Sequence, residues 1–308
     1  MRWLYVPALA ALLIAAACGG GGDDGDGLVI ETSTPSPAAN GGATPAATAD
    51  ATPTPGFSNP NPGDPLYIAL GDSISYGVAA RDPDETSFVA LVHRGFTIDI
   101  GLLNLGVPGY TSADLLNEGE LDRAIAEITG RLNDGIEGNE VAAVTLEIGG
   151  NDLLNIYFDF VLTETCISVE QAIDDPVCVG ALEDALAGLE ANLDEALSRL
   201  RAADPDLPVF LMTLYNPFSG GDADIARVGD LALEGEAGTP FEEGVNDIIR
   251  SVAPAHGAVL VEIFPLFDGR SGDLIAFDMI HPNDTGYAVI AEAVLAAMSD
   301  FGLPVSLN

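Results

Sequence analysis

The chain has 308 residues, with 48 acidic and 10 basic side chains for a formal net charge of −38, and 48% hydrophobic against 6% aromatic residues. A surface this negative gains no counterion release from phosphates, which disfavours nucleic-acid partners. The composition fits an Ala/Leu/Val-packed α/β domain large enough for a real core. Every basic residue is Arg, and the acidity reads as solubility or a saline or acidic habitat rather than as a cation-binding role.

In chain order, Arg2 precedes an apolar stretch from Trp3 to Ala17, shorter than the roughly 18–20 residues that span a bilayer, so it reads as a secretory leader. Its ending, Ala15-Ala16-Ala17-Cys18, resembles a bacterial lipoprotein signal, which implies lipidation of Cys18. It departs from the usual pattern in having Ala at position 15 and a single Arg in the basic region, so simple cleavage and release stands as the other reading. Residues 19–64, first Gly/Asp-rich and then Thr/Pro/Ala-rich, bury too little apolar surface to fold and read as a disordered, extended spacer. Residues 65–308 are assigned to one folded domain. No later segment is long and apolar enough to span a membrane, so the expected membrane contact is the lipid anchor, with an extracytoplasmic location.

Apolar, β-rich runs at Leu66–Leu70, Ile100–Leu105 and Val141–Ile148 predict three strands, and Pro208–Leu214 and Ala258–Phe264 two more. Helices are predicted between them: Ser87–Arg94; a stretch carrying Leu115, Leu121, Ile125, Ile128 and Leu132, capped by Thr111 or Ser112; about Gly180–Ala203; Phe241–Ala253; and about Thr285–Met298. The β-α alternation predicts a three-layer α/β/α sandwich on a mostly parallel five-stranded sheet in flavodoxin-like order. Residues 153–179 form an insertion that opens with an apolar run and holds Cys166 and Cys178 in a segment expected to be irregular. An even pair in an oxidising compartment reads as a disulfide. The insertion reads either as a wall or lid of an acyl pocket or as a structural excursion. The Gly- and acid-rich stretch 216–240 reads as a rim loop.

Four blocks follow one another: Gly71-Asp72-Ser73, Asn104-Leu105-Gly106, Gly149-Gly150-Asn151-Asp152, and Asp278-Met279-Ile280-His281-Pro282. The first three end predicted parallel strands, whose carboxyl ends share one edge of the sheet, so topology gathers Ser73, Gly106 and Asn151. Ser73, in a Gly-flanked turn, needs a base within reach to become a nucleophile; Ser75 lies deeper in the following segment. His93 falls in a predicted helix and His256 at a helix end, whereas His281 has Asp278 three residues before it in a turn that can bring the carboxylate to the imidazole. Gly106 can offer its N–H, and Asn151 a neutral amide donor, where negative charge develops. No Gly-x-Ser-x-Gly elbow surrounds Ser73, and no Cys/His spacing suggests a metal.

At these residues the chain resembles the SGNH hydrolase superfamily, also called GDSL esterases and lipases. The resemblance covers about Pro65 to the C-terminus. It implies that Ser73 is the nucleophile and Asp278 supports His281 as acid and base. It also implies that the Ser73 N–H, Gly106 and Asn151 form the oxyanion hole, and that no cofactor is needed. The expected activity is a secreted or membrane-anchored serine esterase or lipase acting on small or lipid-like carboxylic esters through an acyl-enzyme. A polysaccharide or sugar O-deacetylase on the same fold, and a non-catalytic surface binding module, are the alternatives.

Overall fold

The computed structural model describes residues 57–58, 61–162, 165 and 168–306. The leader with Cys18, nearly all of the spacer, and Cys166 lie outside the described residues. Five parallel strands form the sheet: β2 (Leu66–Gly71), β3 (Gly101–Gly106), β4 (Val141–Glu147), β5 (Val209–Met212) and β6 (Val259–Val261). A two-residue strand, β1 (Phe57–Ser58), pairs antiparallel with β3 from within the stretch read as spacer. The spatial order is β1-β3-β2-β4-β5-β6, so the parallel strands follow the flavodoxin-like order.

Period-two alternation gives the sheet its two buried faces. Along β2, Leu66, Ile68 and Leu70 join one apolar cluster while Tyr67 and Ala69 join the other. The first cluster is closed by helices α3 (Ser112–Asn117), α4 (Glu120–Asn133), α6 (Pro176–Ala203) and α8 (Val245–Ala255). The second is closed by α2 (Phe88–Gly95) and α9 (Asp284–Phe301), whose Tyr287, Ile290, Val294 and Met298 are buried at helical spacing. Ser87 caps α2 by accepting from the Ala90 N–H, and Thr111 and Asp114 close a capping box on α3.

Four local expectations are corrected. The stretch after Thr111 is two helices, because Gly119 at φ 111° breaks it, and Leu132 near the end of the second is exposed. Helix α6 begins at Pro176, with Asp175 accepting from the Val177 N–H, so Cys178 is helical and not in irregular chain. Helix α8 starts at Val245, leaving Phe241 buried in the preceding turn. The stretch 216–240 contains α7 (Ala223–Glu234), capped by Asp222. Among the described residues, no helix is long and apolar enough to cross a membrane.

Candidate active site

The parallel register sets the level of every group at the carboxyl edge. Gly71 pairs with Gly106 on one side and Glu147 on the other, so the chain leaves β2, β3 and β4 at one height. Ser73 opens the one-turn helix α1 (Ser73–Tyr76), capped by Asp72, whose Oδ1 accepts from the Ile74 N–H at 2.9 Å. Helix α5 (Gly150–Leu162) starts just past β4 and presents Asn151.

His281 arrives from the far end of the chain. Ile275 and Pro282 form an antiparallel bridge, and the Ala276 N–H donates to the His281 carbonyl at 2.8 Å, so residues 276–281 form a tight loop. Asp278 Oδ1 accepts from the N–H groups of Ile280 (3.1 Å) and His281 (3.0 Å). Met279 takes a left-handed φ of 64°, a conformation that costs a non-glycine residue roughly 1 kcal/mol or more. The Tyr215 hydroxyl donates to the Ile280 carbonyl at 2.8 Å, with its ring stacked on Phe267.

With the imidazole proton on Nδ1, His281 donates to Asp278 Oδ2 at 2.7 Å, and the Ser73 hydroxyl donates to Nε2 at 2.9 Å. This is the geometry in which a hydroxyl can lose its proton as it attacks a carbonyl. Burial pushes the Asp278 carboxyl up, but the imidazole and the two backbone N–H groups outweigh it and hold it below the ordinary carboxylate value. The other two histidines are spent elsewhere: His93 Nε2 faces the Ile100 carbonyl at 2.9 Å, and His256 Nε2 faces Asp194 at 2.7 Å. Ser75 is fully buried and donates to the Leu70 carbonyl.

Asn151 Nδ2 donates to the Tyr110 carbonyl at 2.8 Å and to Asp72 Oδ2 at 3.2 Å, which brings its amide beside the nucleophile's turn. The Ser73 N–H makes no hydrogen bond among the described residues. Gly106 does not fit the role expected of it. Its N–H donates to Asn104 Oδ1 at 3.0 Å, and a Cβ there would come within 2.4 Å of the Tyr76 nitrogen. That glycine lets β3 pack against α1 and offers no free donor.

Sequence reasoning missed Gly109, three residues on. Val107-Pro108-Gly109-Tyr110 close a β-turn with the Tyr110 N–H on the Val107 carbonyl at 3.2 Å and Gly109 at φ 87°, the positive φ that a type II turn requires after Pro. Gly109 is exposed and its N–H makes no hydrogen bond among the described residues. The next residue's carbonyl is the one that Asn151 holds. The Pro-Gly pair after a strand was the available signal.

A cavity of about 110 Å³ opens beside Ser73. Its inner walls are Leu153 and Leu154 of α5, Leu214, Pro217 and Phe218 beyond β5, and Ala232 and Leu233 of α7. Thus the start of the insertion and the stretch read as a rim loop both contribute wall, the latter through a turn at Pro217 and Phe218 and through helix α7. Cys178 is disulfide-bonded; both other cysteines of the chain lie outside the described residues. Among the described residues, no group of three or more His, Cys, Asp or Glu side chains is placed to hold a metal.

Residues 69–289 match the model of the GDSL-like Lipase/Acylhydrolase family. The uncharacterized protein YpmR of Bacillus subtilis (strain 168) is 26% identical over 247 residues, covering 78% of this chain and 83% of its own. The spore germination lipase LipC of Bacillus licheniformis is 23% identical over 234 residues, covering 75% of this chain and 95% of its own. Among solved structures, the lipase Lip_vut3 from a goat rumen metagenome superposes with a TM-score of 0.55 at 20% identity, over 76% of this chain and 97% of that one. Phospholipase A1 from Streptomyces albidoflavus NA297 gives 0.50 at 21% identity, over 77% and 99%. These likenesses share the fold seen here, and the family match spans all four blocks read from the sequence. The chain belongs to the GDSL-like lipase/acylhydrolase family and is a carboxylic ester hydrolase.

Proposed function

We propose that the protein hydrolyses esters of apolar acyl chains through an acyl-enzyme on Ser73. Ser73 Oγ attacks the ester carbonyl as His281 Nε2 takes its proton, and Asp278 stabilises the imidazolium. The N–H groups of Ser73 and Gly109 hold the developing oxyanion, joined by the Asn151 amide as it turns one hydrogen from its longer bond to Asp72, with Gly109 in the place first expected of Gly106. His281 returns the proton to the departing alcohol, and a water then repeats the cycle on the acyl-enzyme.

The observation that carries this reading is the continuous hydrogen-bonded chain Asp278–His281–Ser73 opening onto an apolar cavity. A single water needs only about 10–15 Å³ of such space, so the cavity suits an acyl tail longer than acetyl and favours lipid-like esters over acetylated sugars. Similar proteins that carry the name lipase agree with that choice. Location belongs to the same proposal: export, lipidation at Cys18 and a Cys166–Cys178 disulfide make the enzyme an envelope protein tethered by its spacer.

An organophosphorus probe tests the chemistry: one adduct on Ser73, lost in Ser73→Ala, is expected, and a folded protein that never labels is a binding module instead. A chain-length series of nitrophenyl esters run against acetylated sugars tests the substrate. Highest kcat/KM on acetyl groups sinks the lipid-like reading and favours a deacetylase.

A further inference from the structure

Behind the nucleophile lies a second acidic group that the steps above leave unused. Glu147 ends β4 opposite Gly71, and the Asp72 N–H donates to the Glu147 carbonyl at 3.3 Å, so the two acidic residues meet where the strands end. They are 5% and 2% exposed, each acts on the other's titration, and Glu147 Oε2 is buried with no hydrogen-bond partner. Both face the cavity at Ser73. Asp72 has both oxygens engaged as acceptors, Oδ1 by the Ile74 N–H and Oδ2 by the Asn151 amide. Two buried anions that act on one another repel strongly, and a carboxyl that accepts two N–H bonds is the one that stays charged. The remaining proton therefore belongs on Glu147.

We propose that Asp72 and Glu147 hold one proton between them, with neutral Glu147 donating to the Asp72 carboxylate, and that this pair positions Asn151 and the Ser73 turn for oxyanion stabilisation. Glu147 is thus a positioning residue, acting through Asp72. The retained proton also keeps the charge behind the oxyanion hole at one unit instead of two, which matters because the oxyanion develops negative charge a few ångströms away. The proposal rests on the acyl-enzyme reading for its kinetic consequence only.

Burial pushes both carboxyls up, Glu147 further because the Asp72 charge adds to it, in keeping with this assignment. The other groups that act on or around the pair are His281 and Asp278 from the catalytic loop, Asp152 from α5, Tyr215 past β5 and Tyr287 of α9. For acids with raised values the sign is fixed. Their stabilising contribution is complete below the ordinary carboxylate range and is lost as pH rises through the folded-state values.

Glu147→Gln decides the matter, because an amide can donate to Asp72 as the neutral acid does but cannot ionise. Its kcat is expected within about threefold of wild type, against a loss on the order of ten- to a hundredfold in kcat with KM little changed for Glu147→Met, which has no donor. The infrared carbonyl stretch of a protonated carboxyl should be present in the wild type at neutral pH and absent in Glu147→Gln. The alkaline fall of Tm should flatten in that variant. A Glu147→Gln enzyme that loses kcat as Glu147→Met is expected to, or a wild type without the protonated-carboxyl band, overturns the proposal. If Glu147→Met does not fold, Glu147→Gln and the band still decide. The band and Tm are read without substrate, so a wild type that turns over no ester sinks the acyl-enzyme reading and leaves the proton pair separately tested.

Discussion

The two halves of the active site are held in different ways. Ser73 and Asn151 stand on the ends of neighbouring strands and inherit their positions from a buried parallel ladder, with β2 and β4 in register up to Gly71 and Glu147. Asp278 and His281 sit on a loop with Phe277 89% exposed at its tip, kept in shape by hydrogen bonds to one carboxylate, one left-handed Met and one tyrosine hydroxyl. Ser73 and Asn151 are thus fixed by long-range packing, whereas Asp278 and His281 depend on local polar bonds. Loss of the Ser73 or Asn151 side chain should be felt almost wholly in kcat, while changes in the loop should also register as stability lost in acid.

The sharpest break is removal of a reacting group. Ser73→Ala and His281→Ala should each lower kcat by on the order of 10⁴- to 10⁶-fold with the fold intact, measured by ester turnover beside circular dichroism. Asp278→Asn keeps an oxygen for the two loop N–H groups but turns an amide toward Nδ1, favouring the wrong tautomer; kcat should fall by about 10⁴-fold with little change in KM. Asn151→Ala removes one oxyanion donor and should cost about 10²- to 10³-fold in kcat. In an Asn151-intact phosphonate adduct, the phosphoryl oxygen is expected against the nitrogens of Ser73 and Gly109, not Gly106.

Two weaker effects belong to the loop alone. Asp278 has a lowered value, so its stabilising contribution is complete above the ordinary Asp value of about 4 and lost as pH falls through its lower folded-state value. Wild-type Tm should drop over that acid interval, and Asp278→Asn should flatten the drop. Tyr215→Phe deletes the bond to the Ile280 carbonyl and should cost about 0.5–1.5 kcal/mol of stability in denaturant melts, with a modest loss in kcat.

The strands, and the meeting of Asp278 with His281, were legible because each leaves a local mark: apolar runs of strand length, and Asp-x-x-His before a proline. The details that were not legible depend on partners distant in sequence. Gly106 looked like a donor because it ends a strand, but whether an N–H is free depends on Asn104 folding back and on α1 packing against it. The early start of α6 was announced by Asp175-Pro176, an N-cap followed by a first-turn proline, inside a segment whose length alone suggested a loop. Helix α7 was hidden by the glycines and acids around it, although Leu231 and Leu233 are buried. No single window shows that Glu147 meets Asp72, because their contact is a property of strand register.

Away from Ser73 and its neighbours, the cavity walls come from Leu153, Leu154, residues 214–218, Gly229, Ala232 and Leu233, whereas the hydrogen-bonded chain runs through Ser73, His281 and Asp278. Selectivity and reactivity are thus written in separate stretches of the chain. Drift at Leu154, Phe218 or Ala232 can resize the berth for a substrate's tail while the proton relay is left as it was, so descendants of this scaffold can change diet without relearning their chemistry.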